Sequence, residues 1–231
     1  MAEFRPACPS DLPALRTLWK AAFSDDDKYL DIFFSTAYAP ERSRVVCQDD
    51  EIVGGAYWLD CSLGAKKLAY VYAVAIAEDC RGQGLGSMLM EDIHRILTQQ
   101  NYAGVILVPG DEDLRRYYQR FGYRNASPRR IPVQLSSLPM ERISPERYAL
   151  LRRTYLPEDG ILQEGENLAL LGAMADFFQG DGFITVISGQ QQCLELLGNT
   201  APVAVEEQPY AMVRELSGSL PENLYFAFGF D

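Results

Sequence analysis

The chain has 231 residues, 48% of them hydrophobic and 23% charged, with a formal net charge of −11. This is the composition of a globular protein with room for one large domain or two small ones, and its acidity argues against nucleic acid as a partner, because phosphate backbones require a cationic face. No apolar run approaches the roughly twenty residues of a membrane span, and five scattered cysteines (Cys8, Cys47, Cys61, Cys80, Cys193) without a Cys-x-x-Cys pair give neither a disulfide framework nor a metal cluster, as expected of a protein kept in a reducing cytoplasm.

Glu3 to Ala7 reads as a short edge strand. Ser10 then caps a helix through Leu12, Leu15, Leu18 and Trp19 to Phe23, with Pro13 tolerated in its first turn. Ser24 to Asp27 forms a turn and second cap, opening a helix through Tyr29, Leu30, Ile32 and Phe33 that stops near Pro40. The acidic run Asp25-Asp26-Asp27 has two readings, a solvated cap or a face that attracts a cationic group. Ser43–Gln48 and Ile52–Leu63 read as a hairpin joined at Asp49-Asp50-Glu51, with Gly54-Gly55 marking a bulge or a close backbone approach. Alternation places Trp58 and Asp60 on one face.

Leu68 to Ile76 is β-branched, aromatic and apolar without a breaker, so it reads as a buried strand. From Leu85 onward Met88, Leu89, Ile93, Ile96 and Leu97 recur at helical spacing. His94, the one histidine, falls beside Ile93 and reads as a surface residue; alone it builds no metal site. Between strand and helix lies Arg81-Gly-Gln-Gly-Leu-Gly86. A glycine-rich turn into a helix bares backbone N–H groups at the positive end of the dipole, an arrangement suited to a pyrophosphate. The Gly-Lys-Ser/Thr of a P-loop is absent, and Glu78 to Arg81 separates the strand from the first glycine, against a dinucleotide fingerprint. The pattern that Arg81, Gly84 and Gly86 do fill is Arg/Gln-x-x-Gly-x-Gly/Ala. A further strand, Gly104-Val-Ile-Leu-Val-Pro109, leads to Leu114-Arg-Arg-Tyr-Tyr-Gln-Arg-Phe-Gly-Tyr123, with Gly122 a reasonable C-cap.

With these two motifs in order, residues 3–135 resemble the GNAT superfamily of acetyl-CoA-dependent N-acetyltransferases. The resemblance implies an α/β fold, a mixed central sheet with helices on both faces, in residues 1–137. It implies acetyl-CoA as co-substrate and no metal. Arg81, Gly82, Gln83, Gly84, Leu85, Gly86 and Ser87 would hold the pyrophosphate. The backbone of Val74, Ala75 and Ile76 would pair with the pantetheine arm, one N–H there polarising the thioester oxygen. Tyr118 would be the general acid that protonates the leaving thiolate, while the neighbouring Tyr117 reads as core or surface. The implied reaction is direct attack of a primary amine in a ternary complex, on a small-molecule acceptor that the residues leave unnamed. Asp60, Glu78 and the Asp25–Asp27 run are the candidate bases. Pro109-Gly110-Asp111 stands where many relatives carry asparagine, so that contact is not carried over. A non-catalytic acyl-CoA sensor, and O-acetyl or longer-acyl transfer, remain alternatives. Neither nucleic acid nor a membrane is expected as a partner, and the chain is expected as a monomer or homodimer.

Residues 138–231 exceed a minimal unit of this kind. Ile131 to Leu135 reads as a strand, Ser144 to Tyr155 as a helix, Glu166 to Phe178 as a second, Gly182 to Ser188 as a strand, Gln191 to Leu197 as a short helix, and Pro209–Leu216 and Leu224–Phe230 as strands. The helix–helix–strand order predicts a degenerate GNAT-like half, or else an α+β extension, walling the acceptor cleft.

Overall fold

Short β-branched and aromatic runs alternate with amphipathic segments, and the computed structural model, which describes residues 2–132, 139–190, 192–198 and 205–230, folds them in that order. Strand Glu3–Arg5 (β1) precedes helices Leu12–Phe23 (α1) and Asp27–Thr36 (α2). Strands Ser43–Gln48 (β2), Glu51–Leu63 (β3) and Lys66–Ile76 (β4) follow, then helix Leu85–Gln99 (α3), strand Gly104–Leu107 (β5), helix Glu112–Gln119 (α4) and strand Arg124–Pro132 (β6). Beyond them come Met140–Ile143 (β7), Pro145–Tyr155 (α5), Glu166–Gly172 (α6), Ala175–Gly180 (β8), Phe183–Ser188 (β9), Cys193–Gly198 (β10) and Val205–Glu215 (β11).

The larger sheet runs β1-β2-β3-β4-β5-β11-β6; β4 and β5 are parallel and every other pair is antiparallel. Leu15 and Trp19 of α1 and Leu30 and Phe33 of α2 pack with Tyr57, Leu59, Tyr70 and Tyr72 on one face. Leu89, Ile93 and Leu97 of α3 pack with Trp58, Val71 and Val105 on the other. This is the mixed α/β sheet covered on both faces that the family resemblance implies. Burying two apolar faces is what makes the central strands read as near-continuous hydrophobic runs.

The C-terminal part divides. Strands β7 to β10 form a separate antiparallel sheet, ordered β10-β9-β8-β7, under α5 and α6. β11 instead returns to the large sheet and inserts between β5 and β6. Helix α6 joins the two, with Leu170 in the core beneath α2 and Leu171 in the core of the small sheet. A buried ion pair holds the small sheet to the chain's end: Arg152 bonds Glu195 through Nε at 3.0 Å, and Tyr148 and Tyr225 both donate to the same carboxylate. A charge this deep is tolerated only because its lone pairs are all engaged.

Several expectations are corrected here. The helix expected over Glu166–Phe178 stops at Gly172, because Ala175–Gly180 pairs with both β7 and β9. Of Gln191–Leu197, expected helical, Gln191 lies outside the described residues and Cys193–Leu197 belongs to strand β10, drawn into the sheet by β9. Leu224–Phe230 is no strand; it makes one isolated bridge, Gly160 to Tyr225, Leu224 N–H bonds the Ala126 carbonyl, and side chains bond the N–H groups from Phe226 to Phe230. The strand expected over Ile131–Leu135 begins earlier, at Arg124, and its last residues, 133–135, lie outside the described residues. The surface role expected of His94 also fails: the ring is 4% exposed, covered by Tyr123 and Arg214. Gly54 does meet its close approach, since a Cβ there would lie 2.6 Å from Ile76 and 2.9 Å from Val46.

Candidate active site

β4 and β5 begin as neighbours and part company. Only Leu68, Ala69 and Tyr70 pair with Gly104, Val105 and Ile106. β4 then continues six residues to Ile76, whereas β5 ends at Leu107 and turns through Pro109-Gly110 into α4. The β5-facing edge of Val71–Ile76 therefore meets no strand among the described residues. Its other edge pairs with β3, but the register shifts between Gly55–Ala75 and Tyr57–Tyr72, so Ala56 opposes two residues of β4. Ala73 in that bulge has φ 50°, a left-handed conformation that costs a non-glycine residue about 1–2 kcal/mol. Such strain tends to sit at functional sites, where a bulge re-aims the backbone.

The wedge opened by this splay is a cavity of about 380 Å3. β4 supplies Val71 to Val74, the β5–α4 turn supplies Leu107 to Gly110, and Tyr118 closes the inner end. Tyr118 is 7% exposed and lies edge-on to both Tyr117 and Tyr123, with ring centroids 5.3 Å and 5.7 Å away. Phe23 and Leu114, two of the few exposed large apolar residues, line the same cavity at 43% and 41% exposure. An apolar rim around a cleft is a surface suited to an apolar arm of a ligand.

Beyond Ile76 the chain makes a short 3-10 turn over Glu78–Cys80 and enters the exposed loop Arg81-Gly82-Gln83-Gly84. Gly82 and Gly84 sit at φ 76° and 81°, and a Cβ on either would meet nothing within 4 Å. Asp26, Asp111 and Ser144 cap α2, α4 and α5 with their side chains, but Gly84 opens α3 with no side-chain cap. The first amides of this fifteen-residue helix donate to no capping side chain, as at α1 and α6. Arg81 is folded back, its Nε donating to the carbonyl of Ile76 at 3.0 Å, which keeps the guanidinium beside the loop. A Cβ at Gly86 would come within 3.2 Å of the Tyr117 hydroxyl. That hydroxyl lies 3.3 Å from Ser87 Oγ, so Tyr117 braces the start of α3. Its contact with the loop is a tertiary one that helical spacing alone does not announce.

The expected acidic residues separate. Asp60 lies at the far end of β3, held by the Tyr102 hydroxyl and by Lys67 at 3.2 Å, and Glu78 lines no described cavity. Asp27 pairs with Lys20 at 2.6 Å and with Arg16, which together hold its carboxyl below the usual range. Asp26 is spent as the cap of α2. Asp25 alone lines the cavity, its Oδ2 accepting the Trp19 indole N–H at 2.8 Å.

The chain's end completes the wall. Phe230 lines the cavity, and its backbone is fastened to β4: the Tyr72 hydroxyl donates to its carbonyl at 2.6 Å, and its N–H donates to the Tyr70 hydroxyl at 3.2 Å. Gly229 N–H donates to the Tyr210 hydroxyl, and Gln163 bonds both the N–H and the carbonyl of Phe228. Nothing local in the sequence marks Phe230 as a site residue.

A family model described as an acetyltransferase (GNAT) domain matches residues 3–126. No curated protein matches the chain in sequence. Among solved structures, the chain is similar to a GCN5-related N-acetyltransferase from Kribbella flavida, with 14% identity over 94% of this chain and 71% of that one and a TM-score of 0.72. A GCN5-related N-acetyltransferase from Anabaena variabilis aligns at 15% identity, 94% and 73% coverage and a TM-score of 0.70. Eis1 from Mycobacterium abscessus aligns at 11%, 94% and 74%, with a TM-score of 0.69. At these identities the likeness speaks for the fold, while the reaction has to be argued from the site.

Proposed function

This chain belongs to the GNAT acetyltransferase family, and from that premise we propose that it transfers the acetyl group of acetyl-CoA to a primary amine. The observation that carries this reading is the splay of β4 from β5, which leaves one strand edge open beside Tyr118 and leads directly into the uncapped start of α3. Acetyl-CoA fits the residues present: a diphosphate suits the bare amides and missing side chains of Arg81–Ser87, and an extended pantetheine arm suits the open edge of Val74, Ala75 and Ile76. It would supply an activated thioester carbon.

The protein's own groups do the rest. Gly82 and Gly84 admit the diphosphate, while Leu85, Gly86 and Ser87 present helix N–H groups and Arg81 adds charge. An N–H at the strained bulge of β4 stabilises the thioester oxygen as charge grows on it. The neutral amine's nitrogen forms a bond to the acetyl carbon as the carbon–sulfur bond breaks; Tyr118 gives its proton to the departing sulfur and regains one from solvent, which takes the proton that the nitrogen loses. We assign the chemistry to residues 1–137, with 138–231 contributing β11 to the sheet and Phe230 to the cavity.

The test is thiol release from acetyl-CoA across a panel of primary amines. Amine-dependent release is expected. Tight binding of acetyl-CoA with no release for any amine would overturn the transferase reading and leave an acyl-CoA sensor.

A further inference from the structure

A second cavity, of about 410 Å3, lies against the first. Asp25 and Phe230 line both, so the two abut across that pair. The outer cavity is walled by Ile32 of α2 on one side and by Met174, Gly189 and Leu194 of the C-terminal part on the other. Neither Tyr118 nor the loop Arg81–Ser87 reaches it, so it is not needed to hold the acyl donor. Its volume is that of a small-molecule site.

We infer that this outer cavity holds the body of the acceptor, a polar group bulkier than the unbranched aminoalkyl arm it carries, and that the arm passes between Asp25 and Phe230 to bring its nitrogen to Tyr118. The inference rests on the transferase reading. Three observations support that class. The carboxylate of Asp25 stands at the boundary, where it stabilises an arriving ammonium. Ile32, Met174 and Leu194 offer apolar cover for the apolar part of that body, and Lys28, Gln190 and Gln192 line the same cavity for its polar groups. Phe230 is fixed at the divide by Tyr70 and Tyr72, so a bulky body stays outside while a slender arm enters. The small sheet then has a task in selecting the acceptor rather than only in covering the fold.

The test uses the full chain and two plugging variants, Gly189→Trp and Gln192→Trp. Gly189 does not sit in the left-handed region, and a Cβ there comes no closer than 3.9 Å to the Met174 carbonyl; Gln192 is exposed. Thiol release from acetyl-CoA is measured with n-butylamine and with a tripeptide that carries a central lysine between blocked ends. The native chain should use the tripeptide at least tenfold more efficiently than n-butylamine. Each plug should raise the tripeptide KM at least tenfold, while the KM of n-butylamine, acetyl-CoA affinity and the melting temperature stay within experimental error. An unchanged tripeptide KM in both folded variants, equal losses for the two amines, or no native preference for the tripeptide would overturn the inference alone. Acetyl-CoA binding without release for either amine would overturn the transferase reading and the outer cavity's role with it.

Discussion

Tyr72 and Phe230, 158 positions apart, are joined by one hydrogen bond: the phenol donates to the backbone carbonyl at 2.6 Å. Since that proton is committed, the 2.5 Å contact with Tyr29 has the Tyr29 hydroxyl donating to Tyr72. A chain of two phenols thus runs from α2 through β4 to Phe230. It fixes a wall of the cavity by side chains instead of by strand pairing.

Tyr72→Phe keeps the ring but removes the hydroxyl that donates to the Phe230 carbonyl. Removing the donor of a partly buried carbonyl costs about 1–3 kcal/mol. For a chain of this length each kcal/mol lowers the melting temperature by about 2–4 °C. The measurement is thermal unfolding together with amide exchange, and residues 226–230 should exchange faster. Tyr70→Phe, whose bond is longer at 3.2 Å, should do less. Unaltered exchange over 226–230 in both variants would mean that the latch contributes nothing.

Tyr118→Phe removes only the proton assigned to the leaving sulfur. General acids contribute about 10²–10⁴-fold, so kcat should fall within that range while calorimetric acetyl-CoA affinity changes by less than about threefold. The ring's packing against Tyr117 and Tyr123 survives the change, so stability is a weak readout here and turnover the decisive one. Equal losses in affinity and turnover would demote Tyr118 to a packing residue.

At Gly84 two effects must be kept apart. Its φ of 81° strains most side chains, although the space beside it is open. Gly84→Asn tolerates the left-handed backbone and should retain acetyl-CoA binding within a few fold. Gly84→Glu places a carboxylate where the diphosphate is assigned and should weaken binding at least tenfold, as read by calorimetry with the fold checked by circular dichroism. If Glu and Asn weaken binding alike, the diphosphate lies elsewhere.

What is legible in the sequence follows from how local each cause is. The passage from β4 through Arg81–Gly86 to α3 is written in glycine positions and apolar spacing, both properties of neighbouring residues, and it stands as expected. The helix with Tyr118 is likewise local, capped by Asp111. The errors arise where a distant partner decides. Leu194, Leu196 and Leu197 suit either a short helix or a strand, and it is pairing with β9 that selects the strand. Leu224–Phe230 has a strand's composition, yet Gln163, Tyr210, Tyr70 and Tyr72 take its backbone groups before another strand can. Phe230 enters the site only through those contacts, and Tyr117 is tied to the loop only by the approach of α4 to α3.

His94 fails the surface expectation for the same reason, and the failure has a consequence for pH. Arg214 donates to Nδ1 at 2.7 Å, so the ring carries its proton on Nε2 and donates it to the Tyr123 hydroxyl at 2.8 Å. A second proton would have to enter on Nδ1, against the guanidinium. Burial, and then the charge of Arg214, lower the pKa from 6.5 to about 3. Between those values the unfolded chain binds a proton that the folded chain refuses. The stabilisation is therefore complete above about pH 6.5 and is lost as pH falls toward 3, with a slope of about 1.4 kcal/mol per pH unit at most. From pH 7 to pH 5 this amounts to about 2 kcal/mol, a figure that hardly depends on the folded value while it lies below 4. Denaturant unfolding of the native chain and of His94→Gln at the two pH values isolates it, because carboxylate titration is common to both and no other histidine exists. The native chain should lose about 2 kcal/mol more than the variant; equal losses would show that the buried imidazole accepts a proton as readily as in the unfolded chain.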